Sequence, residues 1–212
     1  MKDARTTYRI AGAVLAGGKA CRMGGVAKGM LQADGSLSLI ERLVVHMMRC
    51  GVDEIIIAAN DERPYTRIGC AVVPDQRNDA GPLAGIEVAL AHLAGRYDAV
   101  LCLPCDLPSV SWKEMSVLLS AFADGSGPVV FARTQDRARH PLCAVVSTDL
   151  LERVSAALDQ GELGVGNLWL QLGGAAVPFD NPNAFVNLNS PDDLDSWLAG
   201  RPSGRLRKTN VF

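Results

Sequence analysis

Nowhere in its 212 residues does the chain run apolar for the roughly 18 residues that a membrane span needs. Its first ten residues, MKDARTTYRI, lack the apolar core of a secretory signal, so the sequence reads as a cytoplasmic protein. An excess of one charge is missing too. Lys and Arg number 21 against 23 Asp and Glu, a net of -2, which argues against a broad nucleic-acid surface. The six cysteines, at 21, 50, 70, 102, 105 and 143, do not make a disulfide framework. The chain is neither short nor loop-rich, and several of them sit inside apolar runs, so they read as buried thiols. There is no internal repeat and no linker between two domains.

What is present is enough apolar material, 48 % of residues, to bury the core of one large domain without a metal or disulfide staple. Short apolar runs alternate with longer amphipathic stretches. Strands are expected at 10–16, 54–60, 70–74, 99–106, 128–133 and 142–147, with two short late ones in AAVPF and AFVNL. Helices are expected at 39–50, ended by Gly51, at 82–95 with Pro82 in its first position, and at 112–123 capped by Ser111. A further helix is expected from a Thr148 cap to about residue 160. The last, over 190–200, has Ser190 as cap and Pro191 at its start. That alternation implies an α/β fold with a mostly parallel sheet. Residues 1–200 form the domain. Residues 201–212, with four basic and no acidic side chains, read as a solvated tail with a contact to an acidic partner as the sharper alternative.

Open parallel sheets bind ligands at the carboxyl ends of their strands. After the first strand comes Leu15 to Lys28, LAGGKACRMGGVAK. Its glycines allow close approach to a ligand and can turn N–H groups toward phosphate oxygens. Arg22 can grip phosphate with two donors and Lys28 can act as a point charge. The spacing is neither GxxxxGK[ST] nor GxGxxG with an acid about 20 residues on, so P-loop and dinucleotide folds are disfavoured. Asp106, ending the 99–106 strand, faces the same edge and can hold Mg, which binds through one or two carboxylates plus substrate phosphates. Asp75 and Asp79 lie in the loop VPDQRNDAGPLAG, and Asn60 ends the 54–60 strand on that edge. A carboxylate can accept both N1–H and N2–H of guanine, a pair that adenine does not offer.

Together, LAGGKACRMGG with Lys28, PDQRNDAGPLAG, LPCDLP, RARHPL and FVNLNSPDDL resemble the molybdenum cofactor guanylyltransferase family, over about residues 11 to 197. The resemblance implies a single Rossmann-like, three-layer nucleotidyltransferase domain of the GT-A-like kind. It implies transfer of GMP from Mg-GTP to the terminal phosphate of molybdopterin, releasing pyrophosphate. By position, Leu15, Ala16 and Gly17 would contact the nucleotide and Lys28 its phosphates, with Arg22 joining them. Asn60 and Asp75 would hold the guanosine, and Asp106 would bind Mg beside the nucleotide. His140, Asn187 and Asn189 would border the pterin. Other cofactor-biosynthesis proteins and apo-molybdoenzymes would be partners.

Two positions depart from the family. Ala27 stands where an Asp usually precedes the lysine, and ELGVGNLW, after Gly161, lacks basic residues often found there. Two other functions stay open. One is transfer of another base, such as a cytidylyl group, to molybdopterin. The other is a non-catalytic GTP- and molybdopterin-binding partner. Cys102-x-x-Cys105 with His140-x-x-Cys143 imitates a zinc ligand set. However, residues three apart on a strand point to opposite faces, which argues against convergence on one ion.

Overall fold

The computed structural model describes residues 8–17, 22–23, 26–32, 37–77 and 79–200, with the side chains of Arg22, Met23 and Pro191 outside that description. In chain order the first elements are β1 (Ile10–Leu15), the short β2 (Arg22–Met23) and β3 (Val26–Ala27), α1 (Leu39–Arg49), β4 (Ile55–Ala58) and β5 (Ala71–Val73). Next come α2 (Gly81–Leu93), β6 (Ala99–Pro104), α3 (Trp112–Ala123), β7 (Val129–Thr134) and β8 (Arg139–Ser147). The chain continues through α4 (Leu151–Asp159), α5 (Val165–Gln171), β9 (Ala175–Phe179) and α6 (Pro191–Ala199).

Seven strands form one sheet in the order β5-β4-β1-β6-β8-β7-β9. All neighbouring pairs are parallel except those made by β8, which runs against both β6 and β7. The central strands, IAGAVL and AVLCLP, are apolar on both sides because helices cover both faces. One apolar cluster lies between the sheet and α1 and α3; the other lies between the sheet and α2, α4 and α5. A small third cluster joins Leu31, Leu39 and Leu188. The result is the three-layer α/β domain that the sequence implies.

Local chemistry explains where the elements start. Ser38 with Glu41, Ser111 with Glu114 and Ser190 with Asp193 each close a capping box, in which side chain and backbone satisfy one another's free N–H groups. Elsewhere the structure differs from the expectation. AFVNL is not a strand. Pro182 opens a 3-10 turn over Pro182–Phe185, which the Asn181 side chain caps by accepting from Asn183 N–H at 3.1 Å. Thr148 is not the cap of α4. Its hydroxyl is taken up by the carbonyls of Tyr97 at 2.8 Å and Asp98 at 3.1 Å, and Ser147 accepts from Asp149 N–H instead. The unexpected α5 forms because Val165, Leu168 and Trp169 fall on one buried side. The tail at 201–212 lies outside the described residues.

Candidate active site

At the carboxyl edge of the sheet, β1 is clasped between its two neighbours. Ala16 N–H donates to Ala58 O at 2.9 Å, and Cys105 N–H donates to Leu15 O at 3.0 Å. This fixes the backbone of Leu15 and Ala16 between the ends of β4 and β6. Gly17 follows, and here the missing Cβ lets the backbone pass close to Asp75. A Cβ at that position would sit 3.0 Å from Asp75 Oδ2 and 3.6 Å from Ala58 O. Asp75 is bound to Asn60 twice: its own N–H donates to Asn60 Oδ1 at 2.8 Å, and Asn60 Nδ2 donates to its Oδ2 at 3.3 Å. Gly85 of α2 forms the opposite wall, so close that a Cβ there would lie 3.7 Å from Asp75 Oδ1. That oxygen is buried and has no hydrogen-bond partner. Burial raises the Asp75 pKa above its ordinary value, and the bond from Asn60 only partly opposes this.

Lys28 opens a 3-10 turn over Lys28–Met30 and is only 5 % exposed. Its Nζ lies 3.8 Å from Asp106 Oδ2. Asp106 Oδ1, like Asp75 Oδ1, is buried without a partner. Burial holds the Asp106 carboxyl above the usual range, against the pull of the Lys28 ammonium. Two carboxylates, each with one buried and partnerless oxygen, and a buried ammonium thus sit at one sheet edge. Unmet buried polar groups are costly, and they mark places where a ligand can complete the bonding. The donor set suits a hard cation bound partly by substrate oxygens: one free carboxylate oxygen at Asp106, with no group of three His, Cys, Asp or Glu among the described residues.

The remaining expected residues divide. Arg22 has its backbone in β2, opposite Ala27, and its side chain lies outside the description. Ala27 occupies the N-cap position of the Lys28 turn and supplies no side-chain acceptor there. Leu188 N–H donates to Asp106 O at 3.0 Å, which carries the exposed Asn187 and Asn189 to the Asp106 end of the edge. His140 is further along the edge, on β8. The register between β7 and β8 shifts after Phe131, so that Ala132 faces His140. A shift of this kind re-aims the side chains beyond it. His140 stacks on Phe185 with centroids 4.8 Å apart, and its Nε2 lies 3.2 Å from Thr134 Oγ1. Thr134 in turn donates to Asp136 Oδ1 at 2.5 Å. Burial lowers the His140 pKa, opposed by Asp136.

Sequence reading missed Thr134, Asp136 and Phe185 as the supports of His140. Thr134 and Asp136 precede the quoted motif RARHPL and Phe185 opens FVNLNS, but only the fold shows that the two segments meet. The zinc imitation fails on geometry. Cys102 belongs to the apolar cluster on the α2 face and Cys105 to the one on the α1 face. Burial pushes the Cys102 thiol up to about 12 and that of Cys143 higher still, so neither is a ready thiolate. Cys50, Cys70, Cys102, Cys105 and Cys143 are all free.

A doubly wound, mostly parallel sheet with two partnerless carboxylate oxygens, of Asp75 and Asp106, at its carboxyl edge is a Rossmann-like α/β domain. Solved structures that share the fold include two of particular interest. Molybdopterin-guanine dinucleotide biosynthesis protein A of Archaeoglobus fulgidus superposes with a TM-score of 0.69 at 21% identity, covering 88% of this chain and 96% of that one. Rv0371C of Mycobacterium tuberculosis, in complex with manganese, gives 0.70 at 19% identity, covering 91% and 100%. Residues 12–172 match the MobA-like NTP transferase domain, and the chain belongs to that family. Curated relatives span nearly its full length. A molybdenum cofactor guanylyltransferase of Burkholderia vietnamiensis is 36% identical over 204 residues, covering 90% of this chain and 96% of the relative. One of Haemophilus influenzae is 34% identical over 191 residues, covering 89% and 97%. No helix among the described residues is long and apolar enough to cross a membrane.

Proposed function

We propose that this protein transfers GMP from GTP to the phosphate of molybdopterin, releasing pyrophosphate and forming the guanine dinucleotide. One observation carries the reading: two buried carboxylate oxygens, Asp75 Oδ1 and Asp106 Oδ1, lack partners at the edge where Gly17 passes close to Asp75. Asp75 is suited to accept the N1–H and N2–H of guanine, with Asn60 holding it in place. Leu15, Ala16 and Gly17 offer backbone contact to the nucleoside. Lys28 and Arg22 neutralise the phosphates. Asp106 would hold Mg, which when bound would neutralise charge on the phosphate oxygens.

An acceptor phosphate oxygen attacks the α-phosphorus. A new P–O bond forms as the bond to the β-phosphate breaks, and pyrophosphate leaves with the electron pair. The attacking phosphate has its second pKa near 6 and is an anion at neutral pH, so no general base is required. Catalysis then rests on positioning and on charge neutralisation by fixed groups. His140, Asn187 and Asn189 border the acceptor in this reading. Handover to other cofactor-biosynthesis proteins or apo-molybdoenzymes, in the cytoplasm, belongs to the same proposal.

The test supplies molybdopterin, Mg and each of GTP, CTP and ATP, and measures pyrophosphate and dinucleotide. GTP is expected to be the productive donor, and Lys28→Ala and Asp106→Ala each to abolish transfer with the fold intact. Transfer from CTP in preference to GTP would sink the guanine assignment. GTP binding without pyrophosphate release would make the protein a non-catalytic partner.

A further inference from the structure

Arg77 stands two residues beyond Asp75, in the loop between β5 and α2. Its guanidinium is the hub of an ion cluster. Nε and Nη2 donate to the two oxygens of Glu87 at 2.8 and 3.0 Å. Nη1 donates to Asp159 Oδ1 at 2.6 Å, and Nη2 also reaches Ser155 O at 3.4 Å. Ser155 Oγ donates to Glu87 Oε1 at 2.7 Å. Glu87 lies on α2 and is almost buried; Ser155 and Asp159 lie on α4. Burial alone would push the Glu87 carboxyl up, but Arg77 and Ser155 outweigh it and hold the pKa below its ordinary value. The Glu87–Arg77 pair therefore stays charged at neutral pH. Arginine's rigid fork suits this two-oxygen grip in a way that lysine's point charge does not.

The loop needs such an anchor. Residues 74–77, 79 and 80 are exposed or only partly buried, and Asp79 and Gly81 both adopt left-handed backbone, with φ of 54° and 67°. Glu87, Ser155 and Asp159 line a groove of about 410 Å³ between α2 and α4, so at this point ion pairing rather than close apolar packing ties the loop to the helices. Asp75 is thus held on one side by Asn60 and, two residues on, by the Arg77 clamp.

We infer that Arg77 is a positioning residue for base recognition. Its grip on Glu87 and Asp159 sets where the Asp75 carboxylate stands over Gly17, and so how well the site distinguishes guanine from a base without the 2-amino group. The inference rests on the reading of Asp75 as the guanine acceptor. A residue that merely stapled α2 to α4 would affect folding alone.

The experiment measures binding of Mg-GTP and Mg-ITP to the full chain by calorimetry, alongside thermal unfolding. Inosine lacks the 2-amino group, so wild type is expected to favour GTP by about tenfold, the worth of one charge-assisted hydrogen bond. In Arg77→Met/Glu87→Met the nearly buried carboxylate and its partly exposed partner go together, so neither charge is left unpaired by the loss of the other. Its GTP-to-ITP preference is expected to fall to about one while its unfolding temperature stays near wild type. Arg77→Lys keeps a cation beside Glu87 but loses the fork, and is expected to keep only about a threefold preference. A wild-type preference retained in either variant overturns the inference and leaves the guanylyl reading standing. If wild type itself shows no preference for GTP, the guanine role of Asp75 falls and the inference falls with it.

Discussion

Asp75→Asn is expected to make the nucleotide-free protein more stable while removing its grip on guanine. Asp75 Oδ1 is buried without a partner, and Oδ2 has a single 3.3 Å bond from Asn60. Burial outweighs that bond and raises the pKa above 3.8. A raised folded pKa means that the fold prefers the protonated acid. The residue's stabilising contribution is therefore complete below about pH 4 and is lost as pH rises through the raised value. At neutral pH the fold carries the ionised form at a cost. An amide keeps the shape, still accepts from Asn60 Nδ2 and removes the charge. The amide Nδ2 then stands unmet where Oδ1 stood, so only the cost of the buried charge is removed, and the half-buried setting of Asp75 keeps that gain at about 1 kcal/mol. For a chain of this size that is about 2–4 °C in Tm. The assay is thermal unfolding near pH 8 and near pH 5, without and with Mg-GTP. The variant is expected to lead at the higher pH, and its lead to shrink at the lower one as wild type takes up its proton. GTP should reverse the order, since a ligand at a hundred times its Kd adds about 2.7 kcal/mol to wild type. Earlier unfolding of the variant at pH near 8 without nucleotide would refute the argument. Asp106→Asn is the contrasting case. It strips the nearly buried Lys28 of its counter-charge and is expected to lower Tm.

Gly17→Ala places a Cβ 3.0 Å from Asp75 Oδ2, so the carboxylate must shift; steady-state kinetics should show KM for GTP about tenfold higher, with kcat and Tm little changed. Ala27→Asp supplies the missing acceptor at the start of the Lys28 turn and should stabilise by about 1 kcal/mol, read as a Tm rise of about 2–4 °C. No rise would mean that the turn's free N–H groups are already satisfied. Trp169→Phe removes the 2.8 Å bond from Nε1–H to Pro141 O and should cost about 1 kcal/mol or more in denaturant unfolding, because the carbonyl is left unmet.

Much of the edge was legible because apolar runs place strand ends, and a parallel sheet brings those ends together. The residues after β1, β4, β5 and β6 are those that meet: Gly17, Asn60, Asp75 and Asp106. Capping boxes at Ser111 and Ser190 are short-range chemistry and are visible in sequence. What stayed hidden depends on contacts between distant segments. The stacking of Phe185 on His140 and the Leu188 bond to Asp106 require the chain to fold back on itself. The strand pattern of AFVNL was misleading, since alternation says nothing about whether a partner edge is open. The Arg77 cluster was invisible for the same reason: an arginine in a loop looks solvated until α4 brings Asp159 to it.

The bond from Leu188 to Asp106 also orders events at the ribosome. Synthesis delivers β1, β4, β5 and β6 first, and with them the nucleotide-facing edge. Leu188, which covers Leu31 and Leu39, emerges near the end. A chain cut short before it therefore has most of its nucleotide cradle but leaves two leucines bare and Asp106 O unbonded. Such a fragment has an uncovered apolar patch beside the end of the edge where Asp106 stands.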